Sequence, residues 1–203
     1  GLKEFMDIGD ATNQESQTED KDWINNWKQY FHQFYVDDIL ITPSWEPVKE
    51  EDSEKMVLHI DPGTAFGTGM HETTQLCIRQ LKKYVNSDTQ MLDVGTGSGI
   101  LGIIALKLGA SHVTGTDLDP CAVPAVADNL QANGVSEEQF EMLIGNIIDD
   151  AQIQKQVGFE KYDVVTANIL ADVLVDLTPE VVRHMKSGGI YITSGILDVK
   201  EQE

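Results

Sequence analysis

The residues most able to do chemistry form a glycine-rich run, D-V-G-T-G-S-G, which extends from Asp93 to Gly99. An apolar, strand-like segment precedes this run and a helix-like segment follows it. Glycine lets the backbone turn sharply and leaves room for a ligand to lie directly against the chain. Because ligands of open α/β sheets bind beyond the carboxyl ends of strands, the run predicts a small-molecule site.

Two classes of ligand compete for this loop. The dinucleotide fingerprint G-x-G-x-x-G fits on Gly97, Gly99 and Gly102, where it begins three residues after the strand instead of at the strand's end. The pattern D-x-G-x-G-x-G fits without strain, starting at Asp93. The spacing therefore disfavours a nicotinamide dinucleotide and leaves it open as the alternative.

An acidic residue ends the next strand-like segment, at Asp117, which lies 22 residues after Gly95. This spacing suits one helix and one strand. A carboxylate at such a strand end can accept hydrogen bonds from both hydroxyls of a ribose. Several classes of enzyme with nucleoside cofactors use such an acid, so Asp117 indicates a ribose and not a particular cofactor. Asp119, directly before Pro120, is better explained as a helix cap.

A later strand-like segment ends at Asn168, beside the expected ligand. Its side-chain oxygen can accept a hydrogen bond from a substrate amine. The alternative is an ordinary turn residue, a common role for Asn.

A second glycine-rich loop, Asp61–Met70, precedes a predicted helix. Phe66 is a lone aromatic residue in this loop and is suited to covering a ligand face. Thr74 begins the helix, where hydroxyls and free backbone N–H groups can hold a carboxylate. His71 is either a base or a capping group, and the sequence favours the cap.

Composition excludes several function classes. Lys and Arg number 14 against 34 Asp and Glu in 203 residues, so the net charge is −20. Such a charge disfavours direct binding to a nucleic-acid backbone and attracts basic partners.

Two cysteines cannot form a disulfide framework, which predicts a reduced, cytoplasmic setting. No run approaches the roughly 18 apolar residues of a membrane span. The His residues show no metal-ligand spacing.

The elements that must position these residues alternate between strand and helix. Predicted strands are Ile39–Thr42, Met56–Ile60, Met91–Val94, His112–Thr116, Phe140–Ile144, Tyr162–Ala167 and Gly189–Ser194. Predicted helices are Trp23–Phe34, Glu72–Tyr84, Gly99–Leu108, Cys121–Asn133, a short one ending near Val157, and Ala171–Met185. Leu76, Ile78 and Leu81 are expected on the inner side of their helix. The alternation predicts an α/β fold, with a mostly parallel sheet and helices on both faces.

Five motifs together are more specific than any one of them. They are W-x-x-x-W from Trp23, I-x-P-x-W from Ile41, D-P-G-x-A-F-G-T-G-x-H-x-T-T from Asp61, D-V-G-T-G-S-G-I-L from Asp93 and A-N-I-L from Ala167. This combination resembles the ribosomal protein L11 methyltransferase family. The resemblance runs from about residue 22 to residue 197, and the motif from Asp61 is its most diagnostic part.

The resemblance implies a Rossmann-like class I fold that uses S-adenosylmethionine as cofactor. It implies a cytoplasmic bacterial enzyme that methylates Lys ε-amines and the N-terminal α-amine of a large-subunit ribosomal protein, L11. The partner would be a basic ribosomal protein, without direct contact with nucleic acid or membrane. A small-molecule N-methyltransferase, a nicotinamide-dependent oxidoreductase and a non-catalytic module that retains the cofactor pocket remain the alternatives.

Residue by residue, the resemblance places Thr74, Gly95, Asp117 and Asn168 on cofactor-contacting positions and Phe66 on the loop that covers the site. Asn146 stands where many methyltransferases have an acid for the adenine amine. The full set of expected cofactor contacts is Phe66, Thr74, Asp93, Gly95, Thr96, Gly97, Asp117, Leu118, Asn146 and Asn168. The candidate catalytic residues are Asn168 and His71.

Three regions are expected along the chain. Residues 1–22 are predicted to form an acidic, flexible tail, and residues 23–60 a linker helix followed by a strand-rich connector. Residues 61–203 would form the cofactor-binding domain, ending soon after its fifth strand. By the resemblance, an N-terminal recognition domain and further C-terminal strands belong to the complete fold. The sequence does not predict the oligomeric state.

Overall fold

Strands and helices alternate through the computed structural model, which describes residues 32–61 and 71–195. The strands are β1 (Phe34–Val36), β2 (Ile39–Thr42), β3 (Met56–His59), β4 (Gln90–Val94), β5 (His112–Asp117), β6 (Phe140–Ile144), β7 (Tyr162–Asn168) and β8 (Met185–Ser194). The α-helices are α1 (Glu72–Tyr84), α2 (Ile100–Lys107), α3 (Ala122–Ala132), α4 (Ala151–Val157) and α5 (Ala171–His184). Two short 3₁₀ helices lie at Glu50–Asp52 and Glu137–Gln139.

The five strands from β4 to β8 form one sheet in the order β6-β5-β4-β7-β8. Every neighbouring pair in this sheet is parallel. The chain moves outward from β4 through β5 to β6, and then returns to the other side of β4 to add β7 and β8. This reversal places a crevice at the carboxyl ends of β4 and β7, the position where such sheets bind ligands.

Helices cover both faces of this sheet. Successive strand residues point to opposite faces, so Met91 packs into one apolar cluster and Leu92 into the other. The first cluster includes side chains of α1, α2 and α3, and the second includes side chains of α4 and α5. The predicted α/β fold, with a parallel sheet and helices on both faces, is confirmed.

Helix burial follows the local apolar pattern. In α2 every residue from Ile100 to Leu106 is buried, as expected for a helix that is apolar all round. In α1 the buried residues include Cys77, Ile78 and Leu81. The expectation for Leu76 is wrong, since this side chain is 54% exposed. It lies two residues before Ile78, which puts it on the opposite side of the helix.

A separate three-stranded sheet comes first in the described part of the chain, with β1 antiparallel and β3 parallel to β2. The prediction of a helix reaching Phe34 is wrong at its end, because Phe34 begins β1 and pairs with Ile41. His32 and Gln33, also within that predicted helix, are not helical, whereas its residues 23–31 and the predicted tail 1–22 lie outside the described residues.

The end of α5 also differs from the prediction. The helix ends at His184, and β8 starts at Met185, four residues earlier than expected. Met185 pairs with Tyr162, and the register shifts before Ile190 pairs with Val164. An irregular start of this kind carries no alternating pattern from which it could be predicted. Within the described ranges, no helix is long and apolar enough to cross a membrane.

Candidate functional site

Parallel strands bring most of the predicted site to one edge of the large sheet. The glycine run follows β4, and Asp117, Asn146 and Asn168 lie at or just beyond the carboxyl ends of β5, β6 and β7. The amino end of α1 reaches the same edge, since Thr74 is hydrogen-bonded to Asn168. Residues that are up to 94 positions apart in sequence therefore meet here.

The glycine loop has a backbone shape that requires glycine. Gly95, Gly97 and Gly99 all have positive φ, at 69°, 55° and 80°. A Cβ on Gly95 would lie 2.6 Å from Cγ2 of Ile169. The N–H groups of Gly95 and Thr96 both donate to the carbonyl oxygen of Thr116, at 2.8 and 3.0 Å. The loop is therefore fixed to β5 and closely approached by the segment after β7.

Asp93 lies beneath this loop and is only 1% exposed. Its two oxygens accept hydrogen bonds from Thr166 Oγ1 at 2.5 Å and from Thr96 Oγ1 at 2.7 Å. Burial raises the pKa of Asp93 to about 6, and the hydrogen bonds from Thr166 and Thr96 oppose that rise. A carboxyl group in this position holds the loop from within, instead of offering its oxygens at the surface.

Asp117 and Leu118 lie at the end of β5. One carboxylate oxygen of Asp117 accepts from the Gly97 N–H at 2.8 Å, and the other accepts from the Asp119 N–H at 3.0 Å. Each carboxylate oxygen can accept a second hydrogen bond. Leu118 is 69% exposed, an unusual position for an apolar side chain beside a carboxylate. Together these residues present a polar acceptor and an apolar surface.

Asn168 is held from two sides. Its Nδ2 donates to Thr74 Oγ1 at 2.9 Å, and its Oδ1 accepts from Ser194 Oγ at 2.5 Å. The amide is therefore shared by the end of β7, the first turn of α1 and the end of β8. This arrangement distinguishes it from a simple turn residue, whose side chain would bond to its own loop.

His71 is the N-cap residue of α1 and is exposed. Its Nδ1 accepts from the Thr73 N–H at 3.3 Å and lies 2.8 Å from Thr73 Oγ1. When Nδ1 accepts these bonds, Nε2 carries the proton of the neutral ring. Taking up another proton at Nδ1 would break the cap, so the geometry favours the capping role.

Two further predicted residues complete the set. Asn146 follows β6, where its Oδ1 accepts from the Ile148 N–H at 3.0 Å in a turn. Phe66 lies outside the described residues.

Sequence reasoning missed an asparagine pair at the end of α3, formed by Asn129 in the helix and Asn133 directly after it. Asn129 is buried; its Oδ1 accepts from the Asp61 N–H at 2.9 Å and its Nδ2 donates to the Ser98 carbonyl at 2.9 Å. Asn133 bonds the backbone of His59 through both its Oδ1 and its Nδ2. This pair joins the end of β3 to the glycine loop. The available signal was two Asn residues, four apart, the first of them in a helix whose other buried residues are apolar.

Thr166 and Ser194 were also missed. Both are hydroxyl residues in apolar strands, and their partners lie 73 and 26 residues away. No local pattern identifies such a partner. Among the residues described, no group of three or more His, Cys, Asp and Glu side chains could hold a metal ion.

Comparison with known proteins identifies similar sequences over the whole chain. The family model described as "Ribosomal protein L11 methyltransferase (PrmA)" matches residues 2–203. A ribosomal protein L11 methyltransferase of Lachnospira eligens is 56% identical over 202 residues, and one of Agathobacter rectalis is 54% identical over 205 residues. Each alignment covers 100% of this chain and 64% of the relative, so the chain spans less than two thirds of their length.

Solved structures give the same result for the fold. A ribosomal protein L11 methylase from Lactobacillus delbrueckii subsp. bulgaricus matches with a TM-score of 0.71 and 34% identity, covering 82% of this chain and 81% of that chain. A Streptococcus mutans protein named as an S-adenosylmethionine-dependent methyltransferase matches with a TM-score of 0.53 and 13% identity, covering 63% of this chain and 36% of that chain. At this identity the match shows the fold alone. The predicted Rossmann-like methyltransferase fold is confirmed.

Proposed function

Because the chain belongs to the ribosomal protein L11 methyltransferase family, we propose that it binds S-adenosylmethionine and methylates amines of a ribosomal protein. The proposed acceptors are Lys ε-amines and the N-terminal α-amine of L11. The observation that carries the proposal is the meeting of the glycine loop, Asp117 and Asn168 at one edge of the sheet. We further propose that residues 61–203 form the cofactor-binding domain and that residues 23–60 connect it to what precedes.

The chemistry of these residues fits the cofactor. Asp117 would hold the ribose, since each of its oxygens keeps a lone pair for a hydroxyl. Thr74 and the first turn of α1 would hold the carboxylate, which the positive end of a helix favours. The exposed Leu118 offers an apolar surface to adenine.

Other predicted contacts would act around these groups. Gly95, Thr96 and Gly97 let the cofactor lie on the backbone, Asn146 faces the adenine side, and Asp93 acts indirectly by holding the loop. S-adenosylmethionine supplies an electrophilic methyl group on a sulfonium, so the chain's own task is to orient the amine and exclude water.

Asn168 is the residue assigned to the amine. A free Lys has a pKa of about 10.4, so only roughly one in a thousand is neutral near neutral pH. A desolvated position beside a positive charge lowers the pKa of the amine and supplies more of the neutral nucleophile. The oxygen of Asn168 can accept one amine N–H, which leaves the lone pair of the amine free to attack. His71 is left out of this step because its ring caps α1.

The charge of the chain suits a basic protein substrate. The net charge is −20, and exposed acids lie near the site edge at Glu72, Asp119, Asp149 and Asp172. Such a field attracts a basic protein and repels nucleic-acid phosphates. We therefore propose a basic ribosomal protein as the partner, met in the cytoplasm without direct contact with nucleic acid or membrane.

Calorimetry tests the cofactor. The chain is titrated with S-adenosylmethionine and with NAD, and Asp117→Ala is compared with Asp88→Ala, an exposed acid at the opposite edge of the sheet. We expect saturable binding of S-adenosylmethionine alone, weakened at least about tenfold in Asp117→Ala, since the lost bonds are charge-assisted. Binding should be unchanged in Asp88→Ala. Saturable binding of NAD would contradict the proposal and favour an oxidoreductase.

Methyl transfer tests the substrate. Purified L11 and a panel of small amines are incubated with labelled S-adenosylmethionine, and the products are located by mass spectrometry. We expect label on Lys ε-amines and the N-terminal amine of L11. Label on a small amine only would indicate a small-molecule N-methyltransferase. Cofactor binding without transfer to any amine would indicate a binding module.

A further inference from the structure

Leu170 is an apolar side chain that the fold leaves in solvent. It is 77% exposed, the highest value among the large apolar side chains that the structure describes, and Leu118 is the next. Single exposed apolar residues are ordinary on a protein surface. These two, however, both follow the carboxyl ends of strands at the site edge, Leu118 directly after β5 and Leu170 two residues after β7. Leu118 is assigned to adenine, which leaves Leu170 to be explained.

Helix formation alone would not favour leucine at this position. Leu170 is the N-cap residue of α5 and makes no side-chain cap hydrogen bond. Ser, Thr, Asp and Asn are preferred at an N-cap because their oxygen accepts from the free N–H groups of the first turn, and leucine is among the poorest residues there. The chain therefore gives up a cap and exposes apolar surface at the same residue, and neither choice favours folding.

The start of α5 holds the backbone of Leu170 and leaves its side chain at the surface. Ile169 precedes the N-cap and Leu174 is the fourth residue of the helix, and both belong to the second apolar cluster. These are the two positions of a hydrophobic staple, which fixes the angle at which a chain enters a helix. The N–H groups of Val173 and Leu174 donate to the carbonyl oxygen of Leu170, at 3.0 and 3.3 Å.

Leu170 lies close to the group assigned to the amine. Two residues span at most about 7 Å, so the α-carbons of Leu170 and Asn168 lie within that distance of each other. A polar amide and an apolar side chain are therefore neighbours at the site edge. A lysine side chain has the same two parts, since its amine ends a four-carbon apolar stem. The N-terminal α-amine has no such stem, because a single carbon separates it from a polar peptide group.

We propose that Leu170 is a specificity-determining residue that packs against the apolar stem of an acceptor lysine and favours Lys ε-amines over the α-amine. This inference rests on the proposed function, since Asn168 is assigned to the substrate amine. Contact between the stem and Leu170 removes apolar surface of both from water. The exposed acids Asp172 and Asp176, in the first two turns of α5, add negative charge that attracts a lysine.

Methylation of L11 by matched variants tests the preference, because one reaction reports both kinds of amine. Leu170→Ser removes the apolar side chain, Leu170→Met keeps one of similar size, and Val182→Ser makes the same kind of change at an exposed valine near the other end of α5. We expect the ratio of label on Lys ε-amines to label on the α-amine to fall about tenfold in Leu170→Ser, the lower end of the range for a lost apolar contact. Leu170→Met should restore the ratio, and Val182→Ser should leave it unchanged.

Stability and cofactor affinity separate this role from a structural one. Because serine is a better N-cap than leucine, Leu170→Ser should unfold at the same or a higher urea concentration than the unaltered chain. Its Kd for S-adenosylmethionine should stay within about twofold. An equal loss of label at both kinds of amine would overturn the inference, and so would a change in the ratio that comes with a loss of stability.

Binding of small amines gives a readout that does not depend on turnover. Butylamine has the stem and the amine of a lysine side chain, whereas methylamine has the amine alone. The methyl NMR signals of Leu170, identified by their loss in Leu170→Met, should shift when butylamine is added to the chain with S-adenosylmethionine and stay in place with methylamine. Signals that respond to neither amine, or equally to both, would overturn the inference. If the unaltered chain labels no amine of L11, the proposed function fails, and the butylamine comparison still decides whether Leu170 binds a lysine stem.

Discussion

Two buried carboxylates, one beside each described sheet, have pKa values shifted in opposite directions. Asp52, beside the three-stranded sheet, is inaccessible to solvent and accepts hydrogen bonds from Lys55 Nζ and Tyr35 Oη, both at 2.7 Å. The bonds from Lys55 and Tyr35 lower its pKa. Asp93, in the five-stranded sheet, is equally buried, but threonine hydroxyls are its side-chain partners and burial raises its pKa to about 6.

The difference separates a carboxylate that stabilises the fold from one that, in the proposed function, holds the cofactor loop in place. A buried carboxylate with a cationic partner is compensated, whereas one with neutral donors keeps much of its desolvation cost. The fold accepts that cost at Asp93, where the carboxyl group ties the glycine loop to β7 through Thr96 and Thr166. Carboxyl groups whose pKa is shifted by burial in this way cluster at functional sites.

The largest expected effect comes from Asp93→Asn. The folded carboxyl group keeps its proton up to about pH 6, while the unfolded chain loses it near pH 3.8. The free energy of unfolding of the unaltered chain therefore falls across this window, by about 3 kcal/mol. The variant lacks this ionisation, so its stability relative to the unaltered chain should rise by about the same amount across the window and then level off.

Urea denaturation at a series of pH values measures this difference. The carbon NMR shift of the Asp93 carboxyl group gives the midpoint directly. Thr166→Val removes one donor to the carboxylate and should move that midpoint to higher pH. A stability difference that does not vary between pH 3.8 and about 6 would show that Asp93 is compensated like Asp52.

The second test concerns Asn129, whose side chain connects the segment after β3 to the glycine loop. Asn129→Ala leaves the Asp61 N–H and the Ser98 carbonyl oxygen without their side-chain partner. We expect the free energy of unfolding to fall by about 2 kcal/mol, the cost of unsatisfied buried groups. Affinity for S-adenosylmethionine should fall too, because the glycine loop loses an anchor. Gln131→Ala, at an exposed position on the same helix, is the control for both measurements. Equal stability of the two variants would show that the Asn129 hydrogen bonds do not stabilise this connection.

The smallest effect is expected for Asp52→Asn, with the opposite sign to Asp93. A carboxylate with a lowered pKa stabilises the fold above its unfolded pKa of 3.8, and this contribution is lost as the pH falls through its folded pKa. The variant should be the less stable protein at neutral pH, and the difference should shrink below pH 3.8. Thermal unfolding across the acid range measures it. If the stability difference between the unaltered chain and Asp52→Asn grew toward acid pH, Asp52 and Asp93 would not differ in the direction of their pKa shifts.

Much of the site could be predicted because it depends on local signals. Glycine at alternate positions predicts a loop with positive φ, and Gly95, Gly97 and Gly99 have it. Strand ends can be read from apolar runs, and parallel strands place their carboxyl ends together. Asp117 and Asn168 therefore lie where the sequence places them.

The rest could not be predicted because it depends on distant partners. The start of β1 at Phe34 depends on pairing with Ile41, and the roles of Asn129, Thr166 and Ser194 depend on groups 26 to 73 residues away. The prediction that Leu76 lies on the inner side of α1 is wrong, because its angular position on the helix turns the side chain away from the core.

The sequence by itself determined the alternation of elements, the glycine loop and the acid and amide at the strand ends. Periodicity, glycine's access to positive φ and the direction of parallel strands are properties of short segments. Only the tertiary structure decided that Asp93 is buried between two threonines and that Ser194 faces Asn168. Burial and hydrogen-bond partners are set by segments that meet only when the sheet is complete, since desolvation depends on every group packed around a side chain.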